Sequence, residues 1–310
     1  MRILISEFMD AGAIELLTPI HATHYDPNLV DRRDELKTRL RDADALIVRN
    51  RTLVNAELLA AATRLTVVGR LGVGLDNIDV VTCAQRGITV IPATGANALA
   101  VAEYVIAAAM LLLRGVYFSS AAVSAGQWPR TALSNGRETA GKTMGVVGFG
   151  GIGRLTARLA RALGMEVIGF DAQLPAGDPV WEDEFVKPRT LDALLARSDV
   201  LTLHVPLLPA TRHLIDATHL GAMKRGAILI NTARGGVVDE AAVADALKSG
   251  HLGGAALDVF EREPLTGGSP LAGCPNLLLT PHVAGITAES NERVSTMIAE
   301  KVVAALASRH

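Results

Sequence analysis

Cysteine is scarce in this chain: Cys83 and Cys274 are the only two in 310 residues. They lie far apart and fit no metal-ligand spacing. A disulfide framework and a structural zinc are therefore not expected, and buried free thiols in a reducing compartment are. An excess of positive charge is also missing. Lys and Arg number 30 against 32 Asp and Glu, a formal net charge of -2, and no basic block stands apart as a tail. Nucleic acid is accordingly not an expected partner. No run is long and apolar enough for a bilayer, since the longest, Ala98 to Leu113, is short for a span and contains Glu103. Met1 to Ile5 leads directly into a strand-like run, without the charged and apolar regions of a signal peptide. Repeats and low-complexity tracts are absent too. These absences point to a cytoplasmic, enzyme-sized protein with no membrane partner and no metal. The hydrophobic fraction of 49% and charged fraction of 20% are ordinary for a globular chain, and the length leaves room for two cores.

What the chain does contain is an alternation. Apolar runs at Ile3 to Ile5, Ala45 to Val48, Leu65 to Gly69 and Ile88 to Ile91 read as strands. Helical segments fall between them at Asp31 to Arg41, Asn55 to Ala62 and Asn77 to Arg86. The rhythm resumes later with strands at Val200 to Leu203, Ala227 to Ile230, Ala255 to Leu257 and Leu277 to Leu279. Helices are expected there at Thr190 to Arg197, at Glu240 to Ser249 between an Asp239 cap and a Gly250 stop, and at Thr287 to Ala307. Such alternation predicts an α/β protein with mostly parallel sheets and helices on both faces. Asn97 to Leu113 is apolar almost all round, which predicts a helix buried on more than one side, suited to joining two domains and to a subunit contact. The polar, glycine-punctuated stretch from Gly115 to Gly141 carries Trp128 and Arg130, and it reads as a loop that reaches onto a neighbouring subunit.

One stretch carries chemistry more plainly than the rest. Met144 to Val147 is a strand-like run that passes into Gly148, Gly150 and Gly153 of a G-x-G-x-x-G pattern. An amphipathic segment, Ile152 to Leu163, follows, and a second apolar run, Val167 to Phe170, closes on Asp171. Strand, glycine turn, helix, strand and acid in this order form the dinucleotide fingerprint. The glycines let the backbone approach a pyrophosphate at the positive end of the helix. Asp171 is suited to the ribose diol and repels a 2′-phosphate. No Arg follows it closely, so NAD is expected, not NADP.

Three polar clusters stand at expected strand ends, where open α/β sheets bind ligands: Asn231-Thr232-Ala233-Arg234-Gly235-Gly236, the run from Asp258 to Pro264, and Thr280-Pro281-His282-Val283-Ala284-Gly285. Each alone also reads as a capped loop. Together with the strings GRLGVGLDNID at Gly69 to Asp79, NALAVAEY at Asn97 to Tyr104 and HVPLLPATRHLI at His204 to Ile215, they make the chain resemble the D-isomer-specific 2-hydroxyacid dehydrogenases from about Val48 onward.

The resemblance implies two doubly wound parallel-sheet domains: a flavodoxin-like substrate domain from 1–97 plus 286–310, and a Rossmann-type NAD domain over 98–285. It implies a homodimer acting on a small anionic substrate. Arg234, Glu263 and His282 would be catalytic. Imidazole changes charge near neutral pH and suits the base that takes the hydroxyl proton, Glu263 would fix its tautomer, and Arg234 offers a planar pair of donors to the substrate. The formate dehydrogenase branch of the family carries Gln in place of this Glu, so Glu263 favours hydroxyacid chemistry. Gly148, Gly150, Gly151, Ile152, Gly153, Asp171, Val205, Pro206, Thr232, Ala233, Arg234, Asp258, His282 and Gly285 would line the NAD site, with Asp258 accepting from the nicotinamide amide. His204 is expected in a structural or cofactor-edge role. The backbone at Val73 and Gly74, with Asn97 nearby, would bind the substrate carboxylate.

Arg49 and Arg51, which follow a strand, and Arg70, which precedes a glycine loop, read either as surface ion-pair formers or as binders, one or more of them, of a second anionic group on the substrate. Within the family the runs LISEFMD, LIVRNRT and GITAESNER look most like members that oxidise (S)-3-sulfolactate to 3-sulfopyruvate. The label S is compatible with D-type geometry, because sulfur outranks the carboxyl carbon in priority. 3-Phosphoglycerate and hydroxypyruvate or glyoxylate remain alternatives. The lack of a regulatory extension after His310 counts against an allosteric phosphoglycerate dehydrogenase. An NAD-sensing corepressor is the alternative from another class.

Overall fold

Short aliphatic runs become the strands of two separate parallel sheets in the computed structural model, which describes residues 1–308. Residues 309 and 310 of the expected first domain lie outside the described residues. The chain divides into two compact units, one of Met1–Asn97 with the segment from Ile286 onward and one of Ala98–Gly285.

The first unit holds β1 (Arg2–Ile5), β2 (Ala22–Tyr25), β3 (Ala45–Val48), β4 (Val67–Arg70) and β5 (Thr89–Pro92), in the spatial order β2-β1-β3-β4-β5. All pairs are parallel. This is the flavodoxin-like order, with its switch point between β1 and β3. Ala45 to Val48 is buried at every position, as a sheet covered on both faces requires. Ile3, Ile5, Ala45 and Ile47 face helices Ala11–Leu17 and Ala288–Ala307. Leu4, Leu46 and Val48 face Arg33–Leu40, Ala56–Ala61 and Val80–Gln85. The last helix lies close to β4 because Gly69 has no side chain. A Cβ there would stand 2.8 Å from Ile298 Cγ2 and 2.9 Å from Val302 Cγ2.

The second unit holds β6 (Thr143–Val147), β7 (Glu166–Phe170), β8 (Lys187–Pro188), β9 (Val200–Leu203), β10 (Ala227–Asn231), β11 (Leu252–Leu257) and β12 (Leu277–Leu279). Their order is β12-β11-β10-β9-β6-β7-β8, again parallel throughout. The order reverses between β6 and β9, which makes that junction the switch point of a Rossmann-type sheet. Helices Ala98–Arg114 and Gly151–Ala162 cover the face bearing Met144, Val146, Ile228 and Ile230. Leu191–Arg197, Ala217–Ala222 and Glu240–Lys248 cover the other. Asp239 caps the last of these by accepting from Ala241 N and Ala242 N, and Gly250 ends it at φ 67°.

Both cysteines are reduced, Cys83 fully buried and Cys274 partly so. Among the described residues no single helix is long and apolar enough to cross a membrane.

Candidate active site

The switch point of the seven-stranded sheet is shaped by what its glycines permit. Gly148 follows β6 at φ 91°, and a Cβ there would stand 2.5 Å from His204 O at the end of β9. Gly153 lies so close to Gly148 O that a Cβ would reach 2.1 Å. Only glycine fits either position. At Gly150 and Gly151, by contrast, a Cβ meets nothing within 4 Å. These two open the N-terminus of helix Gly151–Ala162, and no side chain caps it. Phe149, between Gly148 and Gly150, is buried and stacks on Trp181 with ring centroids 4.4 Å apart, which fixes the turn from beneath. Asp171, directly after β7, accepts from Phe149 N at 2.8 Å through Oδ2 and from Gln173 N at 2.8 Å through Oδ1. Each oxygen keeps a further acceptor position for a ribose hydroxyl.

His204 and Val205 follow β9, and Val205 Cγ1 lies 3.0 Å from where a Cβ on Gly148 would sit. Pro206 is exposed beside it, and Ile152 is partly buried in the first helical turn. Burial pulls the His204 imidazole down to about 4, so its ring is neutral at physiological pH, with Nε2 3.1 Å from Thr202 Oγ1. The backbone carbonyl of His204 borders the glycine loop at Gly148.

Three loops then leave the ends of adjacent strands at one level, because Asn231, Leu257 and Leu279 are in register across β10, β11 and β12. In the first, Asn231 is buried and its amide braces the turn: Nδ2 donates to Arg234 O and Oδ1 accepts from Ala233 N, both at 3.0 Å. Arg234 Nη1 donates to Ala233 O at 2.6 Å. Thr232 Oγ1 is buried without a hydrogen-bond partner among the described residues. Gly235 packs directly on the second loop, where a Cβ would stand 1.7 Å from Phe260 O. The Arg234 turn and the Glu263 loop can therefore approach only with glycine here.

The second loop begins with Asp258, 1% exposed. Its carboxylate holds the third loop. Oδ1 accepts from Thr280 Oγ1 at 2.6 Å and Val283 N at 2.8 Å, and Oδ2 accepts from Ala284 N at 2.8 Å. Three donors offset the desolvation of this buried acid. Thr280 gives its proton to Asp258, so the Tyr104 hydroxyl must donate in the 2.7 Å contact with Thr280 Oγ1. Burial raises the Tyr104 phenol, which keeps that proton in place. His282, in the left-handed region at φ 56°, donates its backbone N–H to Asp258 O at 2.8 Å. Its Nδ1 lies 2.8 Å from Glu263 Oε2, while Glu263 Oε1 accepts from Phe260 N at 3.1 Å. A carboxylate only accepts, so Nδ1 carries the ring proton and Nε2 presents a lone pair. The Glu263–Pro264 peptide is cis. The second unit thus carries an acid-supported base on the β12 loop and a guanidinium on the β10 turn, with the loop of the supporting acid between them. Gly285, partly buried, closes the His282 loop.

In the first unit, Arg49 and Arg51 sit on the loop after β3, and a buried acid organises it. Glu7 accepts from Arg49 N at 2.8 Å, Thr52 N at 2.9 Å and Arg51 N at 3.0 Å. Asn77 Nδ2 donates to Arg49 O and Thr52 O on the same loop. The side chains diverge in role. Arg51 is exposed and paired with Asp31, the surface ion pair that is the plainer of its two readings. Arg49 is half-buried, donates through Nη2 to Asn291 Oδ1 at 2.5 Å and lies over the Phe8 ring. Val73 and Gly74 follow Gly72, whose φ of 153° excludes a side chain. Asn97 Oδ1 is buried without a partner among the described residues.

Asn231 stood in a strand-end cluster, and Tyr104 and Asn77 in the quoted strings, yet their bracing roles, like that of Glu7, had no local signal.

A family profile described as the NAD binding domain of D-isomer specific 2-hydroxyacid dehydrogenases matches residues 106–284. The (S)-sulfolactate dehydrogenase of Chromohalobacter salexigens is 52% identical over 307 residues, 99% of each chain. The D-3-phosphoglycerate dehydrogenase of Methanocaldococcus jannaschii is 38% identical over 97% of this chain but only 57% of its own length. Among solved structures, a glyoxylate reductase from Paecilomyes thermophila superposes with a TM-score of 0.86 at 31% identity, covering 99% of this chain and 95% of that one.

Proposed function

The chain belongs to the D-isomer specific 2-hydroxyacid dehydrogenase family, and from that premise we propose that it oxidises (S)-3-sulfolactate to 3-sulfopyruvate with NAD. The reaction class rests on one observation above all, the His282 Nδ1 to Glu263 Oε2 contact of 2.8 Å beside the Arg234 turn. The substrate rests on the 52% identity to the sulfolactate enzyme over nearly the full length of both chains.

The residues present fit the cofactor. The uncapped helix start at Gly151, the open positions at Gly150 and Gly151, the acceptor positions of Asp171 and the orphaned Thr232 Oγ1 are what a dinucleotide would engage. Gly148, Gly153, Ile152, Val205, Pro206, Ala233 and Gly285 would shape its surroundings, and Asp258 Oδ2, with one protein donor, is assigned to the nicotinamide amide. When bound, NAD supplies the hydride acceptor for C2. His282 takes the C2 hydroxyl proton on Nε2. Glu263 keeps the ring oriented and stabilises the imidazolium, a contribution of about 10²–10⁴ in rate for a positioned base. Arg234 binds the carboxylate and the C2 oxygen through its planar donors. The Val73 and Gly74 backbone and Asn97 assist at the carboxylate, and Arg49 meets the sulfonate. On this reading the first unit is the substrate domain and the second the NAD domain.

We also propose a cytoplasmic homodimer. Tyr117, Phe118 and Trp128 are 60%, 50% and 79% exposed in the segment after helix Ala98–Arg114, a surface suited to a second copy of the chain.

Initial rates of NADH formation with a panel of 2-hydroxy acids test the assignment. The highest kcat/KM is expected on (S)-3-sulfolactate. A higher value on 3-phosphoglycerate or glycerate reassigns the substrate, and tight NAD binding without turnover of any acid points to a sensor.

A further inference from the structure

We propose that Asn291 is a positioning residue for substrate selection, holding the Arg49 guanidinium against Phe8 with a neutral acceptor so that its full charge is available to the second anionic group of the substrate. This rests on the reading of Arg49 given above and extends it to a residue about 240 positions away in sequence.

Arg51, on the same loop, is committed to an acid, Asp31, and Arg70, which lies across from Val48 on β4, donates to Leu71 O at 2.7 Å. For Arg49, among the described residues, no carboxylate lies within ion-pair distance. Its side-chain hydrogen bond goes to an amide oxygen, Asn291 Oδ1 at 2.5 Å, and its Cζ stands 5.7 Å from the Phe8 ring centroid. The nearest acid in sequence register, Glu7, spends both oxygens on backbone N–H groups of the same loop. A half-buried guanidinium in this state is incompletely compensated. Burial lowers its hold on the proton and Glu7 offsets that only in part. Partial desolvation without an internal counter-ion favours an external anion.

The geometry of the clamp also fixes where that anion binds. Asn291 sits in the first turn of helix Ala288–Ala307, whose start is locked by the reciprocal Thr287 and Ser290 capping box. The Arg49 backbone is held from both sides, by Glu7 at its N–H and Asn77 at its carbonyl. With both ends of the hydrogen bond anchored, the guanidinium loses little further freedom on meeting a ligand. A carboxylate at position 291 would have kept the geometry and cancelled the charge, whereas the amide keeps both.

Steady-state kinetics with sulfolactate and with a turned-over monoacid such as D-lactate test this. Asn291→Asp should raise KM for sulfolactate at least tenfold, with kcat and the monoacid KM within about twofold of the parent. Asn291→Ala should raise it less, about threefold, and should add nothing in an Arg49→Ala background, because the amide acts through the guanidinium. If Arg49→Ala shifts the sulfolactate-to-monoacid KM ratio but Asn291→Asp leaves it unchanged, the role of Asn291 is refuted alone. If Arg49→Ala itself leaves that ratio unchanged, the distal-anion reading falls and this inference with it. Equal KM increases for both acids in Asn291→Asp would likewise overturn it.

Discussion

The two sheets share a parallel, doubly wound plan, yet their switch points are finished in opposite ways. Between β1 and β3 of the first, backbone N–H groups converge on a protein carboxylate, since Glu7, 4% exposed, accepts from Arg49, Arg51 and Thr52. Between β6 and β9 of the second, glycine replaces side chains and the helix start at Gly151 has no side-chain cap. The same local physics, amide dipoles gathered at the carboxyl ends of parallel strands, is satisfied internally in one unit and offered to a phosphate in the other. Topology therefore marks where an anion can bind, and one acidic side chain decides whose anion it is.

The largest effect that would break this picture concerns the second unit. His282→Asn should lower kcat by about 10²–10⁴ while leaving NAD affinity near the parent value, read by cofactor fluorescence. A variant with most of its turnover intact would remove the dyad from the chemistry and leave the glycine loop without a catalytic partner.

A matched pair sharpens the comparison itself. Glu7→Ala strands three backbone N–H groups in a buried site and should cost about 2–4 kcal/mol in denaturant unfolding, with NAD binding unchanged. Asp171→Ala should cost about 1 kcal/mol or less of stability, yet weaken NAD about tenfold and narrow the preference over NADP. Reversed results, with the stability loss at Asp171 and the cofactor loss at Glu7, would refute the contrast.

The smallest effect is a pH slope. His204 titrates near 4 when folded against about 6.5 when unfolded, so the unfolded chain binds more protons between those values. Stability is full above about 6.5 and falls as the pH drops toward 4, by roughly 1–3 kcal/mol. His204→Asn should flatten that part of a Tm-against-pH curve, and an unchanged curve would place the slope elsewhere.

Much of the frame could be read along the chain. Ala45–Val48, Val200–Leu203 and Leu277–Leu279 lie where their apolar runs end, and Asn55, Thr190, Asp239 and Thr287 cap the helices that follow them. Two edge strands were not legible. Ala22–Tyr25 is half polar, and Lys187–Pro188 has two residues, one of which cannot donate to a ladder. Helices Ala11–Leu17 and Pro179–Asp183 also carried too little periodicity, although Trp181 in the second supports the fingerprint turn. Of the candidate site, residue types and strand-end positions were visible. The bracing by Glu7, Asn231 and Asp258 was not.

Local order alone, then, settled the central strands, the capped helices and the cofactor. Side-chain periodicity and glycine at points of close approach act over a few residues, and any chain with that pattern must turn there. Tertiary structure decided the rest: that Arg51 answers to Asp31 and Arg49 to Asn291, and that Asp258 holds the loop of His282. Those pairings join residues between 20 and 242 positions apart, and a hydrogen bond of about 3 Å exists only after packing has brought its ends together.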